Sequence, residues 1–222
     1  MRTSIRTTFT GVVLLLALRA NAQTSVAEGT RLSVPNAALP VDVLVEAPSS
    51  APGELQVICL FASTPENKLQ ASLAVMDARL NGTLTKLRSQ NLFRGTLGET
   101  MLITPKPGTI AAKRLLLIGL GDRDAFTPRQ EEFIGEVVYA ESERLHASTP
   151  TFAPTILDGG KTGIDTGVVG AEFLKGFLRA RAVQQALHDA GMADAPQVTK
   201  LTFLAGTAHA LDTQRGLAGV VR

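Results

Sequence analysis

The segment RLLLIGLGDRDAFTPRQ, residues 114–130, contains an apolar strand, a glycine turn and a helix start in succession. Its first six residues, Arg114–Gly119, are predominantly apolar, which is typical of a strand covered on both faces. Thr127 and Gln130 have the spacing of a capping box, with Pro128 at the first helical position. We therefore expect a buried strand, a tight turn and a helix in this order.

The same alternation extends in both directions from this segment. Further strands are predicted at Leu55–Phe61, Glu99–Thr104, Thr151–Leu157 and Leu201–Leu204. Helices are predicted from Thr64-Pro65, over Thr83–Gln90, from Thr127 to about Ala147, from Asp165 to about Ala190 and from about Leu211 to Val220. A Pro-Lys-Pro-Gly turn at 105–108 predicts a hairpin between the strands Glu99–Thr104 and Arg114–Gly119. The alternation predicts an α/β layered domain with a mixed sheet.

Helical spacing assigns the faces of the two long helices. On the helix that begins near Thr127, the pattern places Phe133, Ile134, Val137, Val138 and Leu145 inward and the acids Glu131, Glu132, Glu136, Glu141 and Glu143 on the solvated face. On the helix that begins at Asp165, it places Phe173, Leu174, Phe177, Leu178, Val183 and Leu187 against the core.

The first 22 residues have the pattern of a cleavable secretory signal. Arg2 and Arg6 precede an apolar run at 9–18, and Ala20-Asn21-Ala22 supplies a small-x-small cleavage site before Gln23. The run is too short for a membrane span, which needs about 20 residues. We expect an exported protein, periplasmic or secreted, with no membrane association after cleavage.

Composition bounds the remaining chain. The 22 basic and 20 acidic residues give a net charge of +2, which becomes −1 when the predicted signal and its three arginines are removed. A near-neutral domain lacks the basic surface expected for nucleic-acid binding. A hydrophobic content of 45% and a charged content of 19% exclude a disordered chain.

Two regions follow the signal in the predicted domain organisation. Residues 23–54 are rich in Ala, Pro and Ser and contain one alternating run, Val41–Val45, which we interpret as an edge strand. Residues 55–222 form the regular α/β domain.

The cysteine and the histidines do not form a pattern typical of a catalytic or metal-binding site. Cys59 is the single cysteine, which excludes an intramolecular disulfide, and its apolar surroundings predict a small buried side chain. His146, His188 and His209 do not have the spacing of metal ligands. The residues therefore predict no catalytic residue, no metal and no cofactor.

Two glycine-rich loops follow predicted strands and precede predicted helices, where ligands of α/β sheets commonly bind. The candidate ligand-binding residues in them are Gly119, Gly121 and Asp122 in the first, and Asp158, Gly159, Gly160 and Lys161 in the second. Asp124 occupies the place of the third glycine of a dinucleotide motif, and Thr155 that of the first glycine of a phosphate-binding loop. An anion site and ordinary connecting loops both remain open.

Three connected stretches resemble a known family: LAVMDARLNGTLTKL (73–87), NLFRGTLGETMLI (91–103) and IAAKRLLLIGLGDRDAFT (110–127). Their order and spacing are similar to the N-terminal domain of the leucyl aminopeptidases, also called cytosol aminopeptidases. The matching positions are Asp77, Gly82, Phe93, Gly95, Gly98, Glu99, Lys113, Arg114, Gly119 and Gly121. The resemblance covers roughly residues 55–188.

The resemblance implies a three-layer fold like that of the macro domain, with a mixed, mostly parallel sheet flanked by helices. It also implies that the family's metal ligands and catalytic residues belong to a separate C-terminal domain, whose N-T-D-A-E-G-R segment this sequence lacks. We therefore expect an exported stand-alone copy of the accessory domain, a non-catalytic binding or regulatory module.

Two alternatives accompany this expectation. One is a macro-like domain that binds or hydrolyses a phosphorylated nucleoside, and the other is an accessory subunit acting in trans with a separate aminopeptidase. The expected partner is an exported protein or a small anionic ligand. The sequence leaves the oligomeric state open.

Overall fold

The computed structural model describes residues 25–35, 39–64 and 68–220. The predicted signal at 1–22 lies outside these residues. The strands are β1 (Arg31–Ser33), β2 (Val41–Val45), β3 (Gly53–Phe61), β4 (Thr100–Ile103), β5 (Ala112–Gly121), β6 (Thr151–Ala153) and β7 (Leu201–Ala205). The helices are α1 (Ala71–Arg79), α2 (Thr83–Ser89), α3 (Gln130–Arg144), α4 (Thr166–Asp189) and α5 (Ala210–Ala218).

The strands form one sheet in the order β1-β2-β7-β6-β3-β5-β4. The five inner strands are parallel to one another, and β1 and β4 add to the edges in antiparallel orientation. The hairpin expected from the turn at 105–108 is present as β4 and β5. The predicted mixed, mostly parallel α/β sheet is therefore confirmed.

Side chains of the central strand β3 alternate between two apolar layers. Val57 and Cys59 belong to the layer covered by α3, α4 and α5, whereas Ile58 and Leu60 belong to the layer covered by α1 and α2. Both faces of β3 are thus buried, which explains its continuous apolar sequence. The result is the three-layer arrangement that the resemblance implied.

Strand β2 forms where the alternating run predicted it, but the predicted edge position is wrong. Its register pairs Val41 with Leu201 and Val45 with Ala205 on β7, while β1 covers its other side. The short strand β1 takes the edge instead. A polar residue at Asp42 gave the run an alternating look, yet the other four residues of β2 are buried.

Helix α1 begins later than the Thr64-Pro65 signal predicted. Thr64 lies outside any helix, Pro65 lies outside the described residues, and Gln70 is the N-cap. The backbone N–H of Gln70 donates to the carbonyl of Asp158 at 3.2 Å, and that of Ser72 donates to the Asp158 carboxylate at 3.4 Å. Contacts with a distant loop therefore hold the start of this helix.

The predicted faces of α3 and α4 are wrong at four residues. Glu131, expected in solvent, is 0% exposed, whereas Val183 and Leu187, expected in the core, are 56% and 40% exposed. The buried residues of α4 end at Phe177, so the later turns extend past the sheet. Phe133 on α3 is likewise 43% exposed.

Among residues 25–35, 39–64 and 68–220, no helix combines the length and the apolar character that a membrane crossing requires.

Candidate functional site

A cavity of about 320 Å³ lies at the carboxyl ends of β2, β6 and β7, and we call it the strand-end cleft. Each of these strands contributes its last residue, namely Val45, Ala153 and Ala205. Parallel strands direct their carboxyl ends to one edge of a sheet, and ligands of open α/β sheets commonly bind there. The fold therefore places this cleft at a position suited to a ligand.

The lining of the cleft combines an apolar surface with nine polar side chains. Its apolar members include Val45, Ile156, Ile164, Val169 and Phe203. Its hydroxyl-bearing members are Ser72, Thr155, Thr166, Thr207 and Thr213. This mixture is typical of sites that bury a small molecule and orient it through a few hydrogen bonds.

Asp158 connects the cleft to α1. One carboxylate oxygen accepts a 2.7 Å hydrogen bond from the Ser72 hydroxyl, and the other lies 3.4 Å from the Ser72 backbone nitrogen, which donates to it. Both residues line the cleft. Asp158 thus fixes the start of α1 and presents its carboxylate to the cavity.

The ionisable residues of the cleft are mostly acidic. Glu28, Glu46 and Asp158 line it together with His209, and no lysine or arginine does so among the residues that the structure describes. One Glu46 oxygen accepts a 3.0 Å hydrogen bond from the backbone of Ala47, which holds this side chain beside the cleft.

The second predicted loop reaches the cleft through one residue. Asp158 lines it, but Gly159, Gly160 and Lys161 do not. A Cβ on Gly159 would lie 2.7 Å from the ring of Phe61, so this glycine permits close packing on β3. The Lys161 ammonium donates to the carbonyl of Asp124 at 3.1 Å and so bridges the two predicted loops.

The first predicted loop is hydrogen-bonded to the segment 95–99. The backbone nitrogens of Gly119 and Gly121 donate to the carbonyls of Glu99 and Gly95 at 2.8 and 2.9 Å. The neighbouring Asp122 accepts from the backbone of Asp124 at 2.7 Å. These glycines therefore join the strand end to the segment 95–99, and a ligand role for Gly119, Gly121 and Asp122 stays a prediction.

Sequence reasoning missed two loops that border the cleft. Glu46–Pro48 follows β2, and Gly206–His209 follows β7. Both loops follow apolar runs typical of parallel strands, and this pattern could have indicated them. Because β2 was predicted at the edge of the sheet, residue 46 was not expected at a ligand site. The strand order brings these loops together with Asp158.

Within the described part of the chain, no three side chains of His, Cys, Asp or Glu are grouped closely enough to hold a metal ion.

Cys59 is fully buried, as predicted, and burial raises the pKa of its thiol well above its usual value. Its backbone N–H donates to the Thr155 hydroxyl at 3.0 Å, and that hydroxyl donates to the Cys59 carbonyl at 2.5 Å. This pair ties β3 to the segment after β6.

Residues 57–164 match the cytosol aminopeptidase family, N-terminal domain. Over these residues, just under half of the chain, the sequence is similar to that domain. A probable cytosol aminopeptidase of Alkaliphilus oremlandii is 32% identical over 123 residues, which are 54% of this chain and 23% of that protein. One from Thermosynechococcus vestitus is 35% identical over 74 residues, or 33% of this chain and 15% of that protein. The alignments thus span less than a quarter of these cytosol aminopeptidases.

Solved structures agree with this fold. A leucine aminopeptidase of tomato, the K354E mutant, has a TM-score of 0.60 at 18% sequence identity. The superposition covers 86% of this chain and 36% of the tomato chain. The Trypanosoma brucei macrodomain in complex with ADP-ribose has a TM-score of 0.55 at 13% sequence identity. That superposition covers 81% of this chain and 69% of the macrodomain chain. This chain therefore has a macrodomain-like α/β fold.

Proposed function

We propose that this domain is a non-catalytic module that binds a small organic ligand in the strand-end cleft. The observation that supports this proposal is the cleft itself, where an apolar base and a few polar groups meet at the carboxyl ends of three parallel strands. Ligand binding there would regulate a partner or sequester the ligand, without chemistry at the site.

Thermal melting of the chain with a ligand panel tests binding. The panel contains ADP-ribose, nucleotides, phosphate, leucyl peptides and alkylamines. A ligand at 100 times its dissociation constant stabilises a protein by about 2.7 kcal/mol, which raises Tm by a few degrees in a domain of this size. We expect a specific rise with at least one class of compound.

A cavity-filling variant identifies the binding position. Gly206 lines the cleft, and a Cβ there would have one neighbour within 4 Å, an atom of the His209 ring at 3.8 Å, so Gly206→Leu adds a bulky side chain at the lining. Gly219→Leu adds the same group at the end of α5, away from the cleft. Ligand-induced stabilisation that survives Gly206→Leu would place binding elsewhere and overturn the proposal.

Peptide hydrolysis by the isolated chain is the competing activity. We expect no release of leucine from a leucyl peptide in the presence of zinc or manganese. Robust metal-dependent release by pure protein, absent from a mock purification, would overturn the non-catalytic assignment.

Export is part of the same proposal, and its support is the pattern of residues 1–22. N-terminal sequencing of the protein from the extracellular or periplasmic fraction should give Gln23 as the first residue. An intact N-terminus in the cytosolic fraction would contradict it.

A phosphorylated nucleoside is the second candidate ligand. The likeness to a macrodomain in complex with ADP-ribose and the start of α5, where His209 lines the cleft, support this candidate, and the carboxylates of the lining oppose it. ADP-ribose in the ligand panel tests it directly.

A further inference from the structure

We propose that the strand-end cleft binds small organic cations with an apolar body, such as alkylammonium and alkylguanidinium ions. This inference rests on the proposed function, because it assigns a ligand class to the same cleft. Three features of the lining support it: its charge, the hydrogen bonds that its polar groups already make, and its apolar side chains.

The charge of the lining favours a cation. Glu28, Glu46 and Asp158 carry carboxylates, and the described lining contains no lysine or arginine to balance them. The nearest base along the chain from Asp158 is Lys161, whose ammonium is bound to the carbonyl of Asp124. A partly enclosed cavity screens charges less than bulk water does, so these carboxylates attract a cationic group and repel a phosphate.

Two hydroxyl groups of the cleft already donate their hydrogens to other protein groups. The hydroxyl hydrogen of Ser72 is donated to Asp158, and that of Thr155 is donated to the Cys59 carbonyl. The Ser72 hydroxyl therefore offers lone pairs to a ligand, and the Asp158 carboxylate has further lone pairs of its own, whereas the Thr155 hydroxyl also accepts from the Cys59 backbone. Ammonium and guanidinium groups, which donate and do not accept, match such a lining.

Donors that could hold a phosphate are largely occupied. The Asp165 side chain accepts from the backbone of Gly167 at 2.8 Å and from that of Val168 at 3.1 Å, which caps the start of α4. The Ser72 backbone N–H at the start of α1 is directed to Asp158. Two of the three helix starts at the cleft are thus satisfied by the protein's own carboxylates.

The apolar base and the spacing of the acids favour an organic ion over a metal ion. Val45, Ile156, Val169 and Phe203 offer a surface that an alkyl chain would bury. The described carboxylates are not grouped in the way that a metal ion requires. A cationic head with an alkyl tail contacts both parts of this lining.

Three probes of equal length isolate the charge: hexylammonium, 1-hexanol and hexanoate. We measure their dissociation constants at low ionic strength by isothermal titration calorimetry. Hexylammonium should bind at least about tenfold more tightly than 1-hexanol, and hexanoate should bind most weakly. Equal or tighter binding of 1-hexanol or hexanoate would overturn the inference.

Two variants assign the preference to the cleft. Asp158→Asn and Glu46→Gln should each weaken hexylammonium binding several-fold and leave 1-hexanol binding unchanged. Asp124→Asn removes a carboxylate from an exposed loop outside the cleft and should change neither. Glu46→Gln leaves the Asp158–Ser72 contact intact, so it reports on charge even if Asp158→Asn disturbs α1. An equal loss in Asp124→Asn would show non-specific attraction and overturn the inference.

The outcomes separate this inference from the proposed function. Binding of ADP-ribose or hexanoate that Gly206→Leu abolishes would overturn the cationic assignment and leave the ligand-binding function standing. Absence of binding by all probes, including the panel compounds, would overturn both.

Discussion

The Asp77 carboxylate on α1 accepts a 2.7 Å hydrogen bond from the backbone N–H of Leu84 in the first turn of α2. It also accepts from the backbone and the hydroxyl of Thr85 at 3.2 and 2.5 Å. The N-cap position of α2 is Gly82, which has no side chain to cap the helix. Asp77 therefore supplies from the preceding helix the cap that α2 lacks.

Asp77→Ala should lower the free energy of unfolding by about 1–2 kcal/mol, because it leaves the first N–H groups of α2 without an acceptor. Asp77→Asn retains an acceptor and should lose less. Urea unfolding followed by circular dichroism measures both. Asp124→Ala, which removes an exposed loop carboxylate, is the control, and a loss there as large as in Asp77→Ala would contradict the capping role.

Gly119→Ala should destabilise the domain by about 3 kcal/mol or more, because the added Cβ would lie 1.9 Å from the carbonyl oxygen of Thr96. That neighbour is backbone and cannot turn aside. Gly219→Ala adds the same methyl group where the nearest atoms are 3.4 and 3.5 Å away, so it should be nearly neutral. A difference in Tm between the two variants checks the prediction, and similar Tm values would refute it.

Glu131 is fully buried, both of its carboxylate oxygens are without a hydrogen-bond partner, and burial raises its pKa to about 8. In the unfolded chain a glutamate has a pKa of about 4.3. The folded state therefore holds this proton more tightly than the unfolded state. The resulting stability is fully present below about pH 4 and is lost as the pH rises through about 8.

Glu131→Gln should remove this component of the pH dependence and should make the variant more stable than the parent chain above about pH 8. The slope that disappears is at most about 1.4 kcal/mol per pH unit. Unfolding free energies measured from pH 5 to pH 9 test it. Glu132→Gln is the control, because Glu132 pairs with Arg179 at the surface. Parallel pH profiles for the parent chain and Glu131→Gln would exclude the assigned pKa.

Val183→Ala and Leu187→Ala should each change the free energy of unfolding by less than about 0.5 kcal/mol, because both side chains are largely exposed. Phe177→Ala on the same helix should cost about 3–5 kcal/mol, because that ring is fully buried against Tyr139 and Phe173. Chemical unfolding of the three variants compares them. A loss of unfolding free energy above about 2 kcal/mol in Leu187→Ala would show that Leu187 packs against the core, as the helical spacing predicted.

The sequence predicted those elements whose patterns are local. The apolar runs of β3 and β5 and the turn at 105–108 were enough to predict the central strands and the hairpin. Thr127 and Gln130 were identified as a capping pair, and the Gln130 side chain indeed accepts from the backbone of Thr127 at 2.8 Å. The helix itself begins at Gln130, three residues after that signal.

Properties set by distant contacts could not be predicted in this way. The start of α1 depends on Asp158, which lies more than 80 residues away. Helical spacing did not separate Glu131 from its neighbours Glu132 and Glu136, because spacing alone does not show which part of α3 lies near Cys59 of β3. The strand-end cleft required the strand order, since its loops follow β2, β6 and β7.

The pairing of β2 with β7 joins residues about 160 positions apart, as Val41 lies beside Leu201. Contacts of such long range slow folding, because most of the chain must be ordered before they form. The sheet can be completed only after residues 201–205 have emerged from the ribosome. A polypeptide with this topology therefore remains incompletely folded until nearly all of its residues have been synthesised.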